Sequence, residues 1–134
     1  MANPGNWSIG FTARLSQHVT SLGNKATVVF DDTVSNFGSA YSTTTGIFTA
    51  PTSGTFFFFA SIMSHANEYL ETEIVVNGVR VALMYGYGNN RFDQGTNAAV
   101  VGLEEGDKVW VRHVGQEGLK VYGGTWSSFS GFHI

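Results

Sequence analysis

Residues 54–63 read Gly54-Thr55-Phe56-Phe57-Phe58-Phe59-Ala60-Ser61-Ile62-Met63. On hydrophobicity alone such a run fits a strand or a buried helix. The opening glycine, the Ser53-Gly54 punctuation and a length of about ten residues favour a strand. Successive strand side chains point to opposite faces, so Phe56 and Phe58 share one face and Phe57 and Phe59 the other. One pair can fill a core between two sheets. The other pair needs cover from water, because each exposed Phe forgoes about 1.5–3 kcal/mol of burial. A loop of the same chain or a second subunit can supply that cover.

Outward from this run the same period recurs. Ile9, Phe11, Ala13 and Leu15 alternate with Thr12 and Arg14, the pattern of a half-buried strand. Ala26–Phe30 and Ile47–Thr49 read as short strands. The runs from Leu70 to Val76 and from Val79 to Leu83 flank Asn77-Gly78, a strong short-range hairpin signal because both turn positions take positive φ. Further strands are expected over Asn97–Leu103, Lys108–Val114 and Ser127–Ile134. The pattern predicts eight to ten strands and no stretch of helical period. It reads as all-β, a sandwich or jelly roll. Residues 86–97 are polar and glycine-rich, and are expected to form a long connection of the kind that carries function.

Composition narrows the class. The 134 residues suit one domain. Charged residues make up 13%, about half the usual share, and there are 17 glycines, which points to strands and tight turns rather than disorder. A net charge of −3 leaves no basic footprint for nucleic acid. Zero cysteines exclude a disulfide scaffold and a thiol nucleophile. No run of about 18 apolar residues is present to insert in a membrane as a helix. The first residues, Met1-Ala2-Asn3-Pro4-Gly5-Asn6, have no apolar leader core, so the chain is expected to be either intracellular or a trimmed form. Asn6-Trp7-Ser8 is a glycosylation triplet of a kind that often arises by chance.

A spaced pattern runs Phe30, Asn36, Tyr41, Phe48, Gly54, Phe56, Phe58. It resembles the signature of the C1q globular-head domain, whose fold is shared with the tumour necrosis factor family. Phe11-Thr12-Ala13-Arg14-Leu15, the segment from Gly46 to Pro51, Val75-Val76-Asn77-Gly78, the segment from Leu103 to Trp110 and the closing segment from Ser128 to Phe132 resemble further pieces of that family in order. Two positions depart: Phe56 stands where the family has Tyr, and Ala60 where it has an aromatic. The resemblance covers residues 9–134 and leaves 1–8 as an N-terminal extension. It implies a ten-stranded jelly-roll β-sandwich, secretion and a homotrimer. It also implies binding without catalysis, as a lectin-like pattern receptor of innate-immune type for carbohydrates or microbial surface molecules. The alternative it leaves open is a cytokine-like or synapse-organiser-like trimer that clusters a protein receptor. No collagen-like stalk stands before the domain in this chain, so bouquet assemblies are not expected of it.

Chemistry sought in the residues agrees with binding. There is no G-x-S-x-G elbow, Walker loop or H-E-x-x-H helix. His18, His65, His113 and His133 have no partner at metal-ligand spacing and read as scattered. Asp31-Asp32, Glu71 with Glu73, Glu104-Glu105 with Asp107, and Asp93 are candidates for calcium, against their alternative as solvated loop carboxylates. No other cofactor is expected. A sugar or polar epitope needs an aromatic platform with amides, carboxylates or guanidinium groups beside it. The 86–97 stretch offers Tyr87, Asn89, Asn90, Arg91 and Asp93, flanked by Tyr85. Tyr122 and Trp126 straddle a second turn at Gly123-Gly124. Tyr85, Tyr87, Asn89, Asn90, Arg91, Asp93 and Trp126 are therefore the expected ligand-binding residues, unless asparagine and glycine serve turn geometry and the aromatics pack at a trimer edge.

Overall fold

The computed structural model describes residues 8–115 and 119–134. Asn6 and Trp7 of the glycosylation triplet, and residues 1–7 of the expected 1–8 extension, lie outside them. Eleven strands are present among the described residues: β1 (Gly10–Leu15), β2 (Val19–Leu22), β3 (Asp32–Phe37), β4 (Phe48–Thr49), β5 (Gly54–Ser64), β6 (Tyr69–Val76), β7 (Val79–Tyr87), β8 (Asp93–Leu103), β9 (Lys108–His113), β10 (Leu119–Val121) and β11 (Gly124–His133). Among the described residues no helix is long and apolar enough to cross a membrane.

The strands form two antiparallel sheets. In the larger, β5 pairs with β8 along one edge and with β11 and then β10 along the other; β1 follows β11, β3 lies outside β1, and β2 outside β10. The smaller runs β4-β9-β6-β7. The all-β jelly roll expected from the sequence is thus the observed fold, with eleven strands in place of ten. Three differences have local causes. Ala26–Phe30 is not a strand: it contributes one bridge, Thr27 to Arg112, and two backbone hydrogen bonds to β9, Val28 N–H to the Val111 carbonyl and His113 N–H to the Ala26 carbonyl, before it leaves the sheet. β2, β3 and β10 are polar or short and carry too little alternation to be read. The expected 86–97 connection is only residues 88–92, because β7 runs on to Tyr87 and β8 begins at Asp93.

The four-phenylalanine run behaves as alternation dictates. Phe56 and Phe58 are fully buried, while Phe57 and Phe59 are half-buried on the outer face. The core is largely aromatic. Phe11 stacks on Tyr41 with ring centroids 4.6 Å apart, Phe129 meets Phe11 edge-on at 5.0 Å, and Phe48 meets Phe58 at 5.2 Å. Such pairs add about 0.5–1.5 kcal/mol each beyond burial. The spaced signature is a map of this core: Phe30, Tyr41, Phe48, Phe56 and Phe58 all lie inside it. Asn36 earns its place by bracing Tyr41, donating from Nδ2 to its carbonyl at 2.8 Å and accepting its N–H on Oδ1. Gly54 leaves room for the His133 ring, which an added Cβ would have to displace. The Phe56 substitution leaves no orphaned hydroxyl; its ring packs on Phe48 and His133.

Candidate functional site

One end of the sandwich gathers the connections after β1, β5 and β7 and before β11. The connection over residues 88–92 is tied down. Asn67 N–H donates to the Gly88 carbonyl at 2.7 Å, Asn90 N–H donates to Asn67 Oδ1 at 2.7 Å, and Tyr87 N–H donates to Asp93 Oδ2 at 2.8 Å. A Cβ at Gly88 would collide with the Arg91 carbonyl, so only glycine permits the tight return. Asn67 and Asn90 sit at φ 63° and 60°, a left-handed conformation that asparagine tolerates better than most residues.

The loop holds Arg91 and Phe92 against β11. Together with Met63, Tyr122 and Trp126 they line a cleft of about 360 Å³. Gln94 Nε2 donates to the Trp126 carbonyl at 2.6 Å and fixes that strand end, while the indole stays 54% exposed. A second groove, about 500 Å³, continues past Tyr122 and Trp126 to Gln17, His18 and Thr125. Larger grooves, about 550 and 670 Å³, lie near the opposite end of the sandwich, walled mostly by small turn residues such as Gly38, Ser39, Pro51 and Thr52. The apical cleft alone among these has three aromatic residues and an arginine in its lining.

The structure divides the seven expected residues. Arg91 and Trp126 share the cleft. Asn90 and Asp93 hold the loop through backbone hydrogen bonds. Asn89 is exposed on the loop. Tyr85 and Tyr87 do not line the cleft; they belong to the outward row of β7, where Tyr85 stacks on Tyr69 at 6.0 Å. Sequence reading missed Met63, which at the end of β5 reads as a core residue, and Phe92, an apolar side chain in a stretch searched for polar groups.

Behind the cleft stands a cluster that spacing did not reveal. His18 stacks on Tyr122 at 4.3 Å, and its Nδ1 accepts the Gly123 N–H at 2.8 Å. His65 lies 5.3 Å from His18 and 5.1 Å from Tyr122, and Phe92 packs on Tyr122 at 4.6 Å. His65 Nε2 is buried with no hydrogen-bond partner among the described residues. Burial first, and then His18, hold the His65 imidazole below its ordinary value of 6.5; Glu68 opposes this and Lys120 adds to it. The other two histidines are structural. His113 is buried with Nδ1 against the Gly23 carbonyl at 2.9 Å, and His133 packs on Phe56.

Most of the carboxylates considered for calcium are engaged by protein donors. Asp31 accepts from Ser16 N–H and Oγ–H, Asp32 pairs with Arg14, and Asp107 accepts from Glu104 N–H and Asn77. Glu73 is 3% exposed and receives Arg80 Nε and Arg112 Nε, each at 2.6 Å. Among the described residues no group of three or more His, Cys, Asp or Glu side chains is placed to hold a metal ion.

Two apolar surfaces are left uncovered. Across the outer face of the larger sheet, the register aligns Phe37, Gly10, Phe132, Phe57 and Val100 on five neighbouring strands. Phe37 and Val100, at its ends, are 60% and 61% exposed. The next row is Ser35, Thr12, Ser130, Phe59 and Ala98, so the apolar band lies toward the end away from the cleft. On the smaller sheet, Val79, Val81, Leu83, Tyr85 and Tyr87 form an exposed stripe down the edge strand β7.

A two-sheet antiparallel sandwich with this strand order and an apical cleft is a jelly-roll domain of the type shared by C1q heads and tumour necrosis factor ligands. Solved structures agree: the zebrafish complement 1qA globular domain superposes with a TM-score of 0.78 at 21% identity, covering 94% of this chain and 97% of that one. Murine APRIL superposes at 0.76 with 10% identity, covering 95% and 99%. The chain belongs to the C1q domain family, whose model matches residues 10–134. It is 34% identical over 131 residues to human complement C1q tumor necrosis factor-related protein 3, covering 96% of this chain and 52% of that protein. It is 31% identical over 128 residues to heavy metal-binding protein HIP of Mytilus edulis, covering 94% and 60%. The chain thus spans about half to three-fifths of the length of these relatives.

Proposed function

We propose that this chain is the recognition domain of a secreted homotrimer of innate-immune type, which binds carbohydrates or microbial surface molecules at the apical cleft without catalysis. The observation that carries the reading is the cleft's composition: Trp126, Tyr122 and Phe92 share its lining with Arg91. Aromatic faces accept the C–H edge of a sugar ring, and a guanidinium offers paired donors to hydroxyls or an acid group. Arg91 is not in an ion pair among those of the described residues, so its donors are free for a ligand. Assembly is supported by the two unlike apolar surfaces. When one surface packs on a different surface of the next copy, the contact is heterologous, and it closes as a ring when the rotation between copies divides a full turn. Three copies fit the family. A trimer presents three clefts, which raises weak single-site affinity by avidity. The mussel relative's heavy-metal binding is not carried over, since no ligand cluster supports it among the described residues.

The test is a glycan array followed by titration calorimetry on the protein and on Arg91→Ala and Trp126→Ala variants. Binding by the parent, with each variant at least tenfold weaker and unchanged in melting temperature, supports the cleft. Equal affinity in both variants moves the site elsewhere. A protein partner recovered by pull-down without sugar dependence favours the receptor-clustering reading instead.

A further inference from the structure

We propose that His18 and His65 form an acid-operated latch behind the cleft, holding Tyr122 and Phe92 in place at neutral pH and releasing the 122–124 turn when protons are added. The argument begins at Gly123. Its backbone N–H can only donate, so His18 Nδ1 must present a lone pair at 2.8 Å, and the neutral ring carries its proton on Nε2. That tautomer leaves His18 without a lone pair for a metal at Nε2, which separates a proton latch from a metal site. Adding a proton to Nδ1 sets two N–H groups facing each other. The bond is lost, and the ring or the turn must move. Stacking on Tyr122 tolerates a charged ring; the bond to Gly123 does not.

Movement there has little slack to absorb it. A Cβ at Gly123 would collide with the Gln17 carbonyl, so the turn and the His18 connection are in close contact. Tyr122 bears on His18, His65 and Phe92 together, and with Phe92 forms the cleft wall. His65 adds a second charge 5.3 Å from the first, on a ring whose Nε2 has no partner to receive the proton. The charged groups around the pair do not cancel this. Glu68 attracts a protonated His65, but Lys120 lies 3.7 Å from that carboxylate and repels it. Arg91 lines the same cleft as Tyr122, and Asp31 is committed to Ser16. Because burial holds His65 neutral in the closed apex, the closed form is favoured above about pH 6.5 and loses stability below it. His18 is exposed, so solvent protons reach the pair directly. The value of the latch to binding rests on the cleft being the ligand site; the latch itself does not.

The test therefore reads the protein without ligand. Amide NMR between pH 8 and pH 5 should show the Gly123 N–H lose its hydrogen bond, with Phe92, Tyr122 and Trp126 shifting at the same midpoint. His18→Asn keeps an acceptor near Nδ1 and cannot titrate; it should remove the Gly123 transition. His65→Gln should leave the Gly123 transition in place but reduce the coincident shifts of Phe92 and Tyr122, whose rings pack on His65. A Gly123 amide that is invariant across the range, or a transition unchanged in His18→Asn, overturns the proposal. Should His18→Asn prove misfolded by circular dichroism, the parent's His18 ring signals decide: titration without coincident movement of Gly123 is equally fatal. If the latch moves but no sugar binds at either pH, the cleft reading has failed and the latch stands. If sugar binds equally at pH 7.5 and 5.5 while the turn moves, the latch stands without control of the cleft.

Discussion

Glu73 shows how a single side chain is tuned by its surroundings. Burial alone pushes its carboxyl up, yet hydrogen bonds and charge from Arg80 and Arg112 together hold it below its ordinary value near 4.5. The stability this pairing contributes is fully present above that ordinary value and is lost as pH falls through the lowered native one. Glu73→Gln leaves two guanidinium groups facing a neutral amide. It should cost about 3 kcal/mol in urea denaturation at pH 7, the lower end for a broken buried pair because Arg80 is half exposed. The deficit should shrink toward pH 3, and a deficit independent of pH would reassign the cost to packing. Glu73 itself was legible in sequence only as a strand residue sharing a face with Glu71. Nothing in spacing announces that two arginines, 7 and 39 residues downstream, converge on it.

The loop between β7 and β8 is an element whose shape rests on one missing atom. Gly88→Ala should displace residues 89–92, because the added Cβ meets the Arg91 carbonyl and lies 3.3 Å from the His65 carbonyl. Ligand binding should fall at least tenfold while near-ultraviolet signals of the core persist; an unchanged affinity would detach the site from the loop. The length of this element was misjudged from sequence for a physical reason. Residues 86–97 are polar and glycine-rich, which reads as a connection. In the fold Gly86 and Gly95 continue the strands instead, Gly95 because a Cβ there would meet the Tyr85 backbone. Glycine marked the close approach of two strands rather than a turn. The hairpin at Asn77-Gly78 was readable because φ values of 49° and 84° are demanded by the turn itself.

At the scale of the molecule, the two apolar surfaces argue for assembly. Phe57→Asp on the sheet face and Leu83→Asp on the β7 stripe should each lower the mass seen by light scattering toward 14.5 kDa. Neither side chain is fully buried in one protomer, so circular dichroism should stay β-rich. A full-mass oligomer in both variants would remove these surfaces from the interface. Mixing the two variants provides a sharper check. In a head-to-tail ring each mutant retains one good surface, so an equimolar mixture should recover dimers that neither forms alone.

Local chemistry decided the alternating strands such as β1, β5, β6 and β7, where the Asn77-Gly78 turn falls and which face of the Phe56–Phe59 run enters the core, since alternation and turn preference act over a few neighbouring residues. The Phe56 to Phe59 run could be assigned its two faces without coordinates for that reason. Tertiary structure decided everything that depends on distant strands lying side by side. It brought Arg91 to Trp126 and His18 to His65, aligned Phe37 with Val100 across five strands, and drew Tyr85 and Tyr87 away from the cleft. Those neighbours are set by pairing register and sheet order, which sum weak interactions over the whole chain and leave no trace in local spacing.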